Sequence, residues 1–137
     1  LKDLPETDKY RQEYIDRFQT MAKAVAACQQ PEGYWTRSLL DPEHAPGPET
    51  SGTAFFTYGL LWGMNNGFLD KATYQPVVEK AWKYLTTVAL QPDGRIGYVQ
   101  PIGEKAIPGQ VVDANSTANF GVGAFLLAAC EMVRFLD

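Results

Sequence analysis

Apolar residues recur along four stretches of the chain, and two kinds of helix pattern alternate. In the first stretch Tyr14, Phe18, Met21, Val25 and Cys28 follow at steps of four and three, which puts them on one stripe of a helix. Lys9, Arg11, Glu13, Asp16 and Lys23 lie off that stripe, so one side is wet. Thr7 or Asp8 is placed to cap its start, and Pro31 ends it. The second stretch, from Thr53 to Met64, is apolar nearly all round. A helix without a wet face is enclosed on most sides. Ser51 is the expected cap, and Asn65-Asn66-Gly67 the expected left-handed stop. Gly59 and Gly63 weaken the helix, which makes sense where another backbone approaches closely.

In the third stretch Val78, Ala81, Trp82, Leu85, Val88 and Ala89 share a face, with Glu79, Lys80 and Lys83 off it. Pro76 suits its first turn. Tyr98-Val99 reads as a short strand. The fourth stretch, about Thr117 to Leu136, is again apolar on almost every side. The order half-wet, enclosed, half-wet, enclosed predicts an all-α fold, an α/α hairpin array with outer and inner layers.

A long loop, rich in Pro and Gly, precedes each enclosed helix. Loops of this length are uncommon as plain connectors and often carry function. The units echo each other. Gln30-Pro31-Glu32-Gly33 returns as Gln91-Pro92-Asp93-Gly94, and Ser51-Gly52-Thr53-Ala54-Phe55 loosely as Ser116-Thr117-Ala118-Asn119-Phe120. A repeated helical unit cannot bury its face alone. Two units are few for a stable stack, so the inner helices are expected to need more protein beside them.

Composition is that of a globular chain, 45% hydrophobic and 20% charged, with a net charge of -4. With no Lys/Arg cluster, a nucleic-acid partner is not expected. No unbroken apolar run reaches the ~20 residues of a membrane span, so no membrane partner is expected. Leu1-Lys2-Asp3-Leu4-Pro5 has neither an initiator Met nor the apolar core of a signal peptide, and reads as if the chain starts partway through something. Cys28 and Cys130 fall on apolar helix faces and read as buried small hydrophobes. One histidine, His44, and no Cys-x-x-Cys leave no recognisable zinc site, and no cofactor or metal is expected.

Both loops end at the start of an inner helix, so both open on one end of the array. Helix N-termini offer free N–H groups and partial positive charge, suited to a hydroxyl-rich or anionic ligand. Tyr34 and Trp35 offer flat faces for sugar rings, Arg37 a fork for a carboxylate, and Glu49, Thr50, Ser51 and Gln100 hydrogen bonds for hydroxyls. Each has a plainer use: Trp35 as a loop anchor, Arg37 as a surface charge, Glu49 at a favourable helix start, Ser51 as a cap. Glu32, Asp41, Glu43, Glu49, Asp93, Glu104 and Asp113 are the nearby acids, and none sits in a motif that marks a catalytic acid.

Four segments together carry a family likeness: Gly33-Tyr34-Trp35-Thr36-Arg37-Ser38-Leu39-Leu40-Asp41-Pro42, Glu49-Thr50-Ser51-Gly52-Thr53-Ala54-Phe55-Phe56-Thr57-Tyr58-Gly59, Asp93-Gly94-Arg95-Ile96-Gly97-Tyr98-Val99-Gln100-Pro101 and Phe120-Gly121-Val122-Gly123-Ala124-Phe125-Leu126-Leu127-Ala128. In this order they resemble the C-terminal part of the unsaturated rhamnogalacturonyl hydrolases, the six-hairpin glycosidases of family 105. The resemblance implies that residues 1–137 supply roughly four helices of an (α/α)6 barrel. It implies metal-free removal of an unsaturated uronic acid from pectin-derived oligosaccharides, with an aspartate protonating the C4=C5 double bond before water adds. That aspartate, and a Trp-x-Arg-x-x-Gly-Trp helix that holds the sugar, belong to the family's N-terminal half, so no catalytic residue carries over. Trp35, Arg37, Glu49, Thr50 and Ser51 match positions near the open end of the barrel and are substrate-side candidates. The implied partners are such an oligosaccharide, and either the missing N-terminal segment or a second copy. The implied setting is a bacterial cytoplasm or periplasm. A non-catalytic carbohydrate-binding or assembly module is the competing reading; another α/α toroid enzyme, such as a cyclase, is a weaker one.

Overall fold

The computed structural model describes all 137 residues. Four helices form: α1 (Arg11–Ala27), α2 (Thr50–Asn65), α3 (Lys71–Tyr84) and α4 (Asn119–Leu136). A π-turn, Leu85–Ala89, prolongs α3, and a short 3-10 turn spans Pro42–His44.

Contacts fix the directions. Asn65, ending α2, donates to Glu131 near the end of α4, while Gln100, ahead of α4, meets Glu49 at the start of α2. The two helices are therefore parallel. Phe18 of α1 packs edge-on against Trp62 late in α2, and Val25 lies by Trp35 ahead of α2, so α1 is antiparallel to α2. Tyr84 at the end of α3 bonds Thr50 at the start of α2, so α3 is antiparallel as well. This is an outer layer, α1 and α3, laid on an inner layer, α2 and α4. The short connection after α2 lies at one end and both long loops lie at the other.

α2 has nine buried residues and α1 only Ala22. The main core joins Leu60, Leu61 and Met64 of α2 to Val78 and Ala81 of α3 and Met132 of α4. Each fully buried Leu or Val contributes roughly 1.5–3 kcal/mol. Small residues let the inner helices approach: Ala54 and Ala124 meet Leu85 and Ala89 beneath the loops. α4 is long and apolar enough to cross a bilayer by length and composition, but here it lies along α2 as a layer helix. Its other flank is uncovered. Leu126, Leu127 and Val133 are 57%, 43% and 60% exposed, and Phe55 on α2 is 46% exposed beside them. The half-wet stripe of α1 is also incompletely covered, with Tyr14 and Met21 exposed.

Several local expectations need correction. α1 starts after Tyr10 with no side-chain cap; Asp8 instead accepts the Tyr10 N–H. Glu49, not Ser51, caps α2. α3 starts well before Pro76, because Asp70 accepts both the N–H and the hydroxyl of Thr73. These bonds hold the Asp70 carboxyl below its ordinary range. The π-turn takes in an extra residue, which turns Val88 to solvent and keeps Leu85 and Ala89 inside. Tyr98-Val99 is no strand; Tyr98 has φ of 59° and bonds across the loop to Asp113 and Thr50. Gly63 makes room for Leu69 and Phe18 side chains rather than a backbone, and Gly59 faces open space. Cys28 is half-buried and Cys130 exposed on the open flank of α4, and both are free thiols.

The repeat is real at the level of hydrogen bonds. In both copies a glycine N–H closes a turn, Gly33 to Gln30 and Gly94 to Gln91, each at 2.9 Å. In both, the glutamine N–H bonds four residues ahead, Gln30 to Tyr34 and Gln91 to Arg95. Gly33 and Gly94 both have left-handed φ, 99° and 86°.

Candidate functional site

At the loop end, the chain first hooks Trp35 under α2. Its indole N–H donates to Val25 O at 2.7 Å, its ring stands edge-on to Phe56, and its backbone N–H donates to Thr53 Oγ1. Trp35 is only 1% exposed, so in this chain the ring binds α1 to α2 and presents no open face.

Glu49 follows across an isolated bridge to Trp35. Its carboxylate is almost wholly enclosed and accepts four donors: Ser51 N–H at 3.0 Å, Ser51 Oγ–H at 2.8 Å, Gly52 N–H at 2.6 Å and Gln100 N–H at 3.1 Å. The favourable position of an acid at a helix N-terminus explains the first three; the fourth ties the second loop to the first. The Thr50 N–H is taken by Tyr98 O at 2.8 Å, and the Thr53 N–H by Glu49 O. The first-turn N–H groups of α2 are thus consumed internally. The expected anion or hydroxyl site at that helix end is filled by the chain's own carboxylate.

Thr50 and Ser51 are buried. The Thr50 hydroxyl lies 2.8 Å from Tyr84 OH. Burial pushes the Tyr84 phenol well above its ordinary value, with the Thr50 hydrogen bond acting the other way. Tyr34, whose ring lies 5.5 Å from that of Tyr84, is pushed upward too, first by burial and then by Glu32.

Arg37 joins the two long loops. Its Nη1 donates to Gln110 Oε1 at 3.1 Å and its Nη2 to the Gln110 backbone O at 3.2 Å. Two hollows meet at this side chain. An inner one of about 160 Å³ is lined by Trp35, Arg37, Glu49, Phe56 and Gln100. An outer one of about 230 Å³ lies between Arg37, Gln100, Gln110 and the 101–107 segment.

Of the five candidates, Trp35, Arg37 and Glu49 come together on the inner hollow, while Thr50 and Ser51 sit behind them in the cap. Gln110 and Tyr84 were not singled out from the sequence. Tyr84 follows Ala81 on the inward face of α3, where a buried phenol needs a hydrogen-bond partner, and that was a usable signal. Gln110, in an irregular loop, carried none.

The comparisons with known proteins agree with this architecture. The chain is 43% identical over 134 residues to an unsaturated 3S-rhamnoglycuronyl hydrolase of Formosa agariphila. That match takes in 98% of this chain and 34% of the relative, so the chain spans about a third of the relative's length. A solved structure described as a polysaccharide lyase is 89% identical, with a TM-score of 0.93, over 98% of this chain and 38% of its own. A possible family 105 member from Salmonella enterica, 24% identical, shares the fold with a TM-score of 0.84, over 98% of this chain and 35% of its own. Four helices in two layers are accordingly one sector of an (α/α)6 barrel. Residues 1–136 match the family described as Glycosyl Hydrolase Family 88, and the chain belongs to that family.

Proposed function

We propose that this chain is the loop-bearing sector of a glycoside hydrolase that removes an unsaturated uronic acid from the end of a pectin- or rhamnogalacturonan-type oligosaccharide. The sector supplies one wall of the cleft, with Arg37 and Gln100 turned to the substrate side and Trp35, Glu49, Thr50 and Ser51 holding that wall in shape. The acid that protonates the C4=C5 double bond comes from another sector. Water then adds at C5, and the resulting hemiketal opens and releases the shortened saccharide. The name of the Formosa relative, an unsaturated 3S-rhamnoglycuronyl hydrolase, supports the unsaturated uronic acid and its rhamnose neighbour; the pectin source rests on the sequence resemblance.

The observation that carries the division of labour is the state of Glu49. It is the one carboxylate lining the inner hollow, and all its hydrogen-bonding capacity in view is spent on Ser51, Gly52 and Gln100. A general acid must instead point a proton at substrate. The open flank at Phe55, Leu126 and Leu127 is where the neighbouring hairpins of the barrel pack.

The test follows loss of ultraviolet absorbance of an unsaturated galacturonyl-rhamnose. A complete barrel carrying this segment is expected to consume it, and residues 1–137 alone are not. Full turnover by the 137-residue chain would overturn the assignment of the acid to another sector.

A further inference from the structure

We infer that Tyr98 is a positioning residue for substrate binding: its left-handed backbone aims the Gln100 carboxamide at the junction of the two hollows, where it hydrogen-bonds a saccharide hydroxyl. This rests on the saccharide-cleaving reading above and gives a role to a residue outside the five candidates.

Tyr98, with φ of 59°, is the one residue other than glycine on the positive side of φ. A bulky side chain is disfavoured there, and such strain persists only where the surroundings enforce it. They enforce it from both sides. The Tyr98 N–H donates to Asp113 O at 2.8 Å, and its carbonyl accepts the Thr50 N–H at 2.8 Å. Before it, Gly97 lies so close to Ala114 that a methyl group would meet the Ala114 backbone. After it, Val99 donates its N–H to Ser116 O at 2.9 Å and sets its side chain into the space left by Gly121 of α4. Gln100 comes next, with its N–H held by Glu49. Strain that is clamped in this way clusters at functional sites.

What the strain delivers is Gln100. Besides Arg37, it is the residue that lines both the inner and the outer hollow. Arg37 spends its end fork on Gln110, whereas the Gln100 side chain bonds to no group of the chain and only its backbone N–H is engaged. A carboxamide carries both donors and an acceptor, which suits the hydroxyls of a sugar ring. The backbone beneath it is already ordered, so binding freezes the side chain alone. Relaxing Tyr98 to the β region would reorient the peptide planes on either side of it and carry Gln100 off this junction.

The test uses the complete barrel protein and an unsaturated galacturonyl-rhamnose. Gln100→Ala is expected to raise KM on the order of 10-fold with kcat little changed. Tyr98→Val, whose β-branched side chain excludes the left-handed region, should raise KM as much. Added to Gln100→Ala it should raise KM no further. Tyr98→Gly keeps the backbone and loses the ring, so KM should stay within about twofold of the parent. Tyr98→Ala, less disfavoured there than valine, gives an intermediate KM and serves where the valine variant does not fold. Melting temperatures are followed in parallel. A merely structural Tyr98 lowers the melting temperature and leaves KM alone, and that result would overturn the inference. So would a glycine variant as impaired as the valine one, because the ring would then be the active part. Calorimetric titration separates this inference from the hydrolase reading. Binding that Gln100→Ala and Tyr98→Val weaken alike, without any turnover, would sink the hydrolase reading and keep this one. Turnover with KM indifferent to Gln100→Ala would do the reverse, and neither binding nor turnover would overturn both.

Discussion

The Gln100 backbone N–H donates to Glu49 Oε1 over 3.1 Å, so an amide from the second loop completes the cap of the helix that follows the first. The two loops are separated by a whole hairpin of sequence, and one carboxylate holds both.

Glu49→Ala should therefore cost more than an ordinary cap. It strands the Ser51, Gly52 and Gln100 N–H groups in an enclosed space, for a loss of about 2–4 kcal/mol. Glu49→Gln keeps one acceptor oxygen and should lose less. Urea unfolding of the complete protein gives both numbers; an unmoved midpoint in the alanine variant would mean that water replaces the carboxylate.

The Tyr84–Thr50 pair sets an alkaline limit. The folded state holds the Tyr84 proton above its ordinary value near 10.0, chiefly because burial disfavours the phenolate. Its stability contribution is intact below pH 10 and declines as pH rises above it, where the unfolded chain releases the proton first. Tyr84→Phe leaves the Thr50 hydroxyl buried without its partner and should cost about 1–3 kcal/mol near neutrality, with the gap to the parent narrowing above pH 10. Stability measured across pH 8 to 11 (roughly the range that spans the tyrosine reference value) checks the slope.

The repeated turn allows a matched comparison. Gly33 and Gly94 have the same handedness, yet a methyl on Gly33 would run into the backbone of Lys80 and Ala81, whereas one on Gly94 meets nothing. Gly94→Ala should cost only the conformational penalty, about 1–2 kcal/mol. Gly33→Ala adds a collision with α3 and should cost roughly 3 kcal/mol or more. Equal thermal shifts in the two variants would show that the turn can lift off α3.

The uncovered flank of α4 should behave oppositely in two settings. Residues 1–137 alone are expected to self-associate, and Leu126→Glu should move their sedimentation toward monomer. In the complete barrel the same change buries an unpaired charge and should destabilise by about 3 kcal/mol or more. A monomeric parent chain at high concentration would count against the barrel sector as the natural context.

The layer order was legible because alternating half-wet and all-apolar helices have few packing solutions. The turns were legible because a glycine in Gln-Pro-x-Gly fixes the local hydrogen bonds. Cap identities were harder: Ser51 and Glu49 are both acceptable at a helix start, and only the chain path past Gln100 decides between them. The start of α3 is hidden because Pro76 is an entry signal by residue type, whereas the Asp70–Thr73 pair outranks it. The π-turn has no plain signature, so Val88 was placed inward. For the site, Arg37 stood out by residue type, but its partner Gln110 depends on how two loops meet.

Because the wide turn at Leu85–Ala89 takes in one residue beyond an α-turn, the chain leaves α3 rotated by about 100° from where a regular helix would release it. Everything downstream, from the Leu90–Ile96 bridge to Gln110, inherits that exit angle. Losing one residue there would make a better helix and swing the whole second loop away from Arg37. The length of one turn behind the wall thus helps decide where the second loop meets Arg37.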